Sequence, residues 1–196
     1  MALKLKPSKN TREKEWYNKY RWFYTSEKKL VVGGKNAEQN EELIKKFLNT
    51  NPKYIVMHTK HPGSPFSIIL SNTPSEKDLE ETAVFTGSFS RAWREGKKKS
   101  QIDTFLIEQI IKKKSMKTGT FGVIEEIDRK DVDLRLYLIP QEGKLRAIPF
   151  QVKNAICISP GKVNKDKFAE QIAVKLEIPL EEVLQALPTG GFKIIK

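Results

Sequence analysis

Apolar residues along the chain recur at two spacings, which separate predicted strands from predicted helices. Short apolar runs predict strands at 22–25, 30–32, 54–58, 66–70, 105–107, 121–124, 133–139, 145–152 and 155–158. Helical spacing predicts helices at 36–48, 73–95, 165–177 and 180–187. Strands outnumber helices and short links join most of them. The sequence therefore predicts an α+β fold, with a mostly antiparallel sheet packed with two main helices.

The sequence changes character near residue 130. Residues 1–15 are polar and basic, and they predict a mobile arm, or a helix that frays, ahead of the first strand. We expect a first unit at 1–130 that carries this basic arm. A C-terminal α+β extension of three strands and then two helices is expected at 131–196, packed on the same domain.

The start of the first helix carries its own signals. Gly33-Gly34 ends the preceding strand, Asn36 is a typical N-cap residue, and Gln39 stands at the capping-box position. Two glycines before a helix start gather free N–H groups at the positive end of the helix, which suits a phosphate, and Lys35 adds a point charge. The alternative is a tight turn with a cap, and the spacing of a Walker loop is absent.

Two amides on that helix admit two interpretations. Asn36 and Asn40 are four residues apart, and Asn40 shares a face with the apolar residues Ile44 and Phe47. Buried amides have to be hydrogen-bonded, so one interpretation is a structural network that fixes the helix to the following hairpin. The other is contact with a ligand, for which Gln39, one position aside, is the freer candidate.

Basic residues exceed acidic ones by a margin that changes the functional picture. The chain contains 36 Lys and Arg against 24 Asp and Glu, a formal net charge of +12, and its pI is about 9.6. Such a pI is typical of proteins that bind polyanions, and a general solubility surface is the alternative. The excess is clustered near the N-terminus and in two runs, Lys97-Lys98-Lys99 and Lys112-Lys113-Lys114, which are candidates for contacts with a nucleic-acid backbone.

Composition also excludes or disfavours several classes of protein. Cys157 is the only cysteine, which excludes a disulfide framework and a cysteine-based zinc finger. The sequence opens with no apolar signal-peptide core and contains no apolar run of about 18 residues. We therefore expect a cytoplasmic protein without a membrane partner.

The first strand and the bend after the third supply further candidates. Arg21 precedes the aromatic residues of its strand, and a sheet face with arginine and aromatic side chains can stack on bases, although Trp22 itself is expected in the core. His58 and His61 flank the bend, but two histidines with no acidic residue nearby do not make a metal site. They either contact a phosphate or a base, or are packed or hydrogen-bonded at the bend.

Four segments together resemble the NFACT RNA-binding domain family. The opening block, Trp-Tyr-Asn-Lys-Tyr-Arg-Trp-Phe-Tyr-Thr-Ser-Glu at 16–27, continues into Leu-Val-Val-Gly-Gly-Lys-Asn-Ala-Glu-Gln-Asn-Glu at 30–41 and matches best. The others are His-Thr-Lys-His-Pro-Gly-Ser-Pro at 58–65, Ser-Arg-Ala-Trp at 90–93 and Thr-Gly-Thr-Phe at 118–121. The segment at 58–65 departs from the family pattern, since Thr59 and Lys60 stand where an acidic residue is expected. The tail is similar, more loosely, to the C-terminal extension of archaeal members.

The resemblance implies RNA binding, in a family tied to the large ribosomal subunit and to the rescue of stalled nascent chains. Longer members carry a catalytic-like module and a coiled coil ahead of this domain, so nascent-chain extension is not expected of this domain alone. The candidate nucleic-acid-binding residues are Arg21, Lys35, Asn36, Gln39, Asn40, His58, His61, Ser64, Arg91, Lys97, Lys98, Lys99, Lys112, Lys113 and Lys114.

We expect a non-catalytic RNA-binding protein that binds tRNA or ribosomal RNA in translation or ribosome-associated quality control. The alternatives are an adaptor for a ribosomal or RNA-modification partner, and a DNA-binding protein. A hydrolase or metal enzyme ranks last, because no nucleophile elbow, Cys/His pair or tuned base is apparent, and no metal or cofactor is expected. The adaptor predicts an exposed apolar patch, whereas RNA binding predicts a basic groove.

Overall fold

The structure, a computed structural model, describes residues 15–195. The predicted basic arm therefore lies outside the described residues, apart from Glu15. The described part opens with a short 3₁₀ helix, Trp16–Lys19. It holds no helix that is both long and apolar enough to cross a membrane.

A six-stranded sheet forms the centre of the first unit. Its strands are β1 (Arg21–Tyr24), β2 (Leu30–Gly33), β3 (Ile55–Thr59), β4 (Ser67–Ile69), β5 (Lys99–Leu106) and β8 (Asp128–Asp133). They lie in the order β1-β2-β4-β3-β5-β8, and every neighbouring pair is antiparallel. The predicted hairpin of β3 and β4 is confirmed, with Val56 opposite Ile68. A separate ribbon follows β5 and a second 3₁₀ helix (Ile107–Gln109), and it pairs β6 (Ile110–Ile111) with β7 (Gly122–Val123).

Helices cover both faces of this sheet, because alternate strand residues point to opposite sides. α1 (Ala37–Leu48) packs its apolar stripe on the side that carries Trp22 and Val56. α2 (Glu76–Ser88) lies on the other side, where the rings of Phe23 and Phe85 are 4.6 Å apart.

The predicted second helix at 73–95 is wrong in one respect, because it is two helices. α2 ends at Ser88, and α3 (Arg91–Arg94) begins after Ser90. The Ser90 hydroxyl donates to the Gly87 carbonyl at 2.6 Å and accepts from the Ala92 N–H at 3.1 Å, so it closes one helix and caps the next. The apolar spacing continues across this break, so it predicts a single helix. It does not show that a side chain bonds to the backbone groups and interrupts the helix.

A four-stranded antiparallel sheet and two helices make up the C-terminal unit. The strands are β9 (Leu136–Gln141), β10 (Lys144–Ile148), β11 (Ile156–Val163) and β12 (Phe192–Ile195), in the order β10-β9-β11-β12. α4 (Lys165–Leu176) and α5 (Leu180–Ala186) share one apolar cluster with the sheet, through Phe168 and Val183 among others. The α+β class with antiparallel sheets is confirmed.

Several strand bounds differ from the predicted ones. The strand predicted at 105–107 is the end of β5, which begins at Lys99 and so includes the last lysine of the first basic run. The strand predicted at 133–139 joins the end of β8 to β9, which belong to different sheets. β12 is not among the predicted elements. Apolar runs show where a strand packs, but not where the chain passes from one sheet to another.

Candidate nucleic-acid interface

A cleft of about 600 Å³ opens where four connecting segments of the first unit meet. They are the turn between β2 and α1, the β3–β4 loop, the α2–α3 junction, and the loop before β7. The cleft brings together seven of the predicted site residues, which are Arg21, Lys35, Asn36, Asn40, His58, Ser64 and Arg91. These residues are far apart in sequence, so the fold assembles the cleft.

Asn40 fixes one wall of the cleft. Its side-chain Nδ2 donates to the Ser64 carbonyl at 3.3 Å, and its Oδ1 accepts from the Phe66 N–H at 3.0 Å. The amide therefore hydrogen-bonds to the backbone of the β3–β4 loop as a neighbouring strand would. This agrees with the interpretation that Asn40 belongs to a structural network that fixes the helix to the hairpin. Gly34 permits the approach, since a Cβ at that position would lie 2.3 Å from Asn40 Oδ1.

The turn before α1 is closed by its own side chains. Asn36 caps the helix, as predicted, by accepting from the Gln39 N–H at 2.9 Å. Gln39 Oε1 accepts from the Lys35 N–H at 3.0 Å, one residue before the position that a capping box uses. This N–H is therefore already satisfied, and what Lys35 offers a phosphate at this turn is its exposed ammonium group.

A loop crosses the start of α1 and forms the opposite wall. Gly119 has φ +74° and lies against Ala37, and its N–H donates to Glu41 at 3.0 Å. Lys112 Nζ lies 2.8 Å from Glu41 and also donates to the carbonyls of Lys117 and Thr120. The hydrogen bond from Lys112, then those from Lys45 and Gly119, lower the pKa of Glu41 to about 2. The predicted phosphate contact Lys112 thus already serves to hold this loop.

The cleft is basic, and its basic side chains lack acidic partners. Arg21, Lys35, Lys60, Arg91 and Arg94 line it, and none of them forms an ion pair with any residue from 15 to 195. Coulomb repulsion among such groups is relieved when an anion binds between them. The arrangement therefore favours an anionic ligand.

Among the described residues, the one acidic side chain that lines the cleft is already neutralised. Asp103, on β5, lines the cleft and accepts from Arg129 Nε at 2.5 Å. Its carboxylate therefore does not serve as a counter-ion to the five cations.

Arg21 combines a cation with an aromatic surface. Its guanidinium carbon lies 4.6 Å from the centre of the Phe89 ring, in a half-buried position at the start of β1. Burial lowers the pKa of Arg21 to about 10, so the side chain still carries its charge at neutral pH. A partly dehydrated guanidinium on a ring offers both charge and a stacking plane to a nucleotide.

His58 offers the cleft an uncharged ring. It stacks on Phe66 with ring centres 4.3 Å apart, and burial lowers its pKa to about 4, against the smaller opposing effects of Thr59 and Asp103. At neutral pH it is suited to stacking or hydrogen bonding with a base and not to attracting a phosphate. The described residues contain no cluster of three or more His, Cys, Asp and Glu arranged to hold a metal ion.

The remaining predicted residues do not line the cleft. Gln39 is engaged at the helix start, and its Nε2 also donates to the Lys19 carbonyl at 3.3 Å. Lys97 Nζ forms an ion pair with Glu95 Oε2 at 2.8 Å, and Lys99 Nζ lies 3.9 Å from Asp133 Oδ1. The other residues of this group are exposed outside the cleft, and they are His61, Lys98, Lys113 and Lys114.

The residues that line the cleft but are absent from the predicted set include two cations and two aromatic residues. Lys60 stands where the family pattern has an acidic residue, and Arg94 follows Arg91 by three positions, the spacing that puts two side chains on one helix face. Both signals are readable in the sequence. Phe89 and Phe121 also line the cleft, but apolar spacing alone does not separate such residues from core aromatics.

Comparisons with known proteins give a matching family and several relatives. A family model described as NFACT protein RNA binding domain matches residues 19–125. The chain is 31% identical to the Archaeal Rqc2 homolog aRqcH of Methanocaldococcus jannaschii, over 94% of this chain and 30% of that protein. It is 38% identical to the Ribosome quality control complex subunit NEMF homolog of Drosophila melanogaster, over 40% of this chain and 8% of that protein.

A solved structure shares the fold. The C-terminal part of the fibronectin/fibrinogen-binding protein from Streptococcus suis superposes with a TM-score of 0.50 at 19% identity, over 63% of this chain and 47% of that chain. This likeness concerns the fold alone. The chain spans less than a third of the length of the two curated relatives.

Proposed function

The chain belongs to the NFACT RNA-binding domain family, and from this membership we propose that it binds RNA through the cleft described above. The observation that carries the proposal is a set of five cations that line one cleft together with aromatic rings and have no ion-pair partner among residues 15–195, namely Arg21, Lys35, Lys60, Arg91 and Arg94. Cations hold the phosphate backbone, and rings stack on unpaired bases.

The ligand that we propose is tRNA or ribosomal RNA, bound in ribosome-associated quality control in the cytoplasm. The relatives support this setting, because one is described as an Archaeal Rqc2 homolog and another as a Ribosome quality control complex subunit NEMF homolog. The role proposed is binding and not catalysis.

The test is RNA binding by the purified protein across a salt series from about 50 to 300 mM. The ligands are tRNA, ribosomal RNA fragments and duplex DNA of equal length. The cleft variant combines Lys35→Ala, Lys60→Ala and Arg94→Ala, which are all exposed. The control variant combines Lys53→Ala, Lys153→Ala and Lys175→Ala, which remove the same charge from exposed positions outside the cleft.

Three lost phosphate contacts should reduce the slope of log K against log salt by about 2, and the affinity at physiological salt by about 50-fold. The control should keep the slope and affinity close to those of the wild type. The proposal fails if the wild type binds tRNA and ribosomal RNA no better than DNA, or if the cleft and control variants bind alike.

An adaptor role is the second candidate, and an apolar surface favours it. Val123, Ile124 and Ile127, which lie at and after β7, are 41%, 68% and 53% exposed. The double variant Ile124→Ser, Ile127→Ser should leave binding to free RNA unchanged. If it nevertheless abolishes co-sedimentation with ribosomes, this surface contacts a protein.

A further inference from the structure

A second cavity of about 280 Å³ adjoins the cleft at the boundary between the two units. Arg21, Lys35 and Phe89 line both cavities, so the two are continuous along these side chains. The far wall comes from β10 and α5 of the C-terminal unit, outside the residues that match the family model.

β10 contributes two cations to this cavity. The Arg146 guanidinium carbon lies 4.0 Å from the centre of the Trp22 ring, and burial lowers the pKa of Arg146 to about 10, against the smaller opposing effects of Glu182 and Tyr17. Its Nε is buried without a hydrogen-bond partner among the described residues, as is Trp22 Nε1. Lys144 is exposed at the start of the same strand, with one hydrogen bond of 3.3 Å to Asn18.

The acidic residues of this cavity lie on α5 and have partners of their own. Glu182 accepts from the Leu145 N–H at 2.6 Å, and Glu181 accepts from Gln185 at 3.0 Å. Four cations against two glutamates leave the lining with a net charge of +2.

The cations of this cavity lie close enough to influence one another. The pKa of Lys35 lies below its ordinary value, first through desolvation and then through the like charges of Arg21, Arg146 and Lys144. Such a cluster gains from a bound phosphate, which removes the repulsion among several cations at once.

We propose that an RNA strand held in the cleft continues past Arg21 and Phe89 into this cavity, where Lys144 and Arg146 bind a further phosphodiester group. The proposal rests on the proposed function, since it extends the path of the same ligand. It makes the C-terminal unit part of the RNA-binding surface, although this unit lies outside the matched RNA-binding region.

The test compares Lys144→Glu and Lys144→Ala with Lys153→Ala, an exposed lysine of the same unit that lines neither cavity. With tRNA or a ribosomal RNA fragment, Lys144→Ala should weaken binding about fourfold at physiological salt and reduce the salt slope by about 0.7. Lys144→Glu should weaken binding further, and Lys153→Ala should match the wild type. Arg146→Lys keeps the charge and tests the guanidinium separately, with thermal unfolding as the check that its packing on Trp22 survives.

The outcomes separate the two proposals. If the triple cleft variant loses affinity while both Lys144 variants match Lys153→Ala, this inference fails and the cleft still stands. If the wild type binds no RNA, both fail together. If the Lys144 variants alone lower the affinity and the salt slope, RNA binds at the second cavity without passing through the cleft, and the continuous path proposed here is overturned together with the cleft.

Discussion

Protonation of His58 should weaken the fold, because its ring lies in a site that favours the neutral form. The pKa of His58 is lowered from 6.5 to about 4, chiefly by burial, and the ring stacks on Phe66 at 4.3 Å. In the unfolded chain the histidine takes up a proton near pH 6.5, whereas in the folded protein it does so only near pH 4. Between these values the unfolded state binds more protons, so stability is complete above pH 6.5 and is lost as the pH falls towards 4.

The size of the effect follows from the difference between the two pKa values. A gap of roughly 2.5 pH units corresponds to about 3 kcal/mol at full extent, and partial contact of the ring with solvent reduces this to about 2 kcal/mol. The matched variant is His58→Phe, which keeps a planar ring against Phe66 and removes the titrating group. Urea unfolding of both proteins at several pH values between 7.5 and 4.5 measures the difference.

The free energy of unfolding of the wild type should fall below that of His58→Phe progressively as the pH drops through this range. NMR supplies a second measurement, because the chain has only two histidines and the ring signals of His58 should keep their neutral positions down to about pH 5. Parallel stability profiles for the two proteins would show that His58 does not cause the loss of stability, as would a His58 signal that titrates near pH 6.5.

Two further predictions concern the walls of the cleft. Asn40→Ala should lower the free energy of unfolding by about 2–3 kcal/mol in urea, because two backbone groups of the β3–β4 loop lose their partners. The exposed Asn49→Ala should change it little. Gly119→Ala should lower the thermal unfolding temperature clearly more than Gly96→Ala. Both glycines have a positive φ, but only a Cβ at position 119 would meet a neighbour, the Cβ of Ala37 at 2.5 Å. Equal thermal unfolding temperatures for the two glycine variants would contradict this.

Local signals in the sequence predicted the elements that build the cleft. Asn36 is the N-cap of α1, and the hairpin of β3 and β4 follows from two apolar runs around a turn. The break at Ser90 escaped prediction, because it depends on whether one hydroxyl bonds to the helix backbone, and apolar spacing does not report this.

Long-range pairing explains most of what the sequence did not reveal about the site. The ion pair of Lys112 with Glu41 joins a loop to a helix that is distant in the sequence. The sequence alone therefore does not distinguish Lys112, which is paired inside the protein, from the two lysines that follow it. The second cavity could not be predicted from the sequence either, because Arg146 and Trp22 come into contact only when the C-terminal unit packs on the first. Net charge predicted a polyanion ligand but not which cations face it.

Whether a basic side chain has a partner inside the protein decides what it offers a ligand. Lys112 is held by Glu41 and two carbonyls, so a phosphate would have to displace contacts that keep the loop in place. Arg21 instead lies partly buried against Phe89, and no carboxylate of residues 15–195 is paired with it. Such burial costs folding free energy unless a ligand brings the counter-charge. The pairing of Asp103 with Arg129 removes a competing anion from the same cleft. The RNA proposal therefore rests on the location of the unpaired cations, which the net charge of the chain does not reveal.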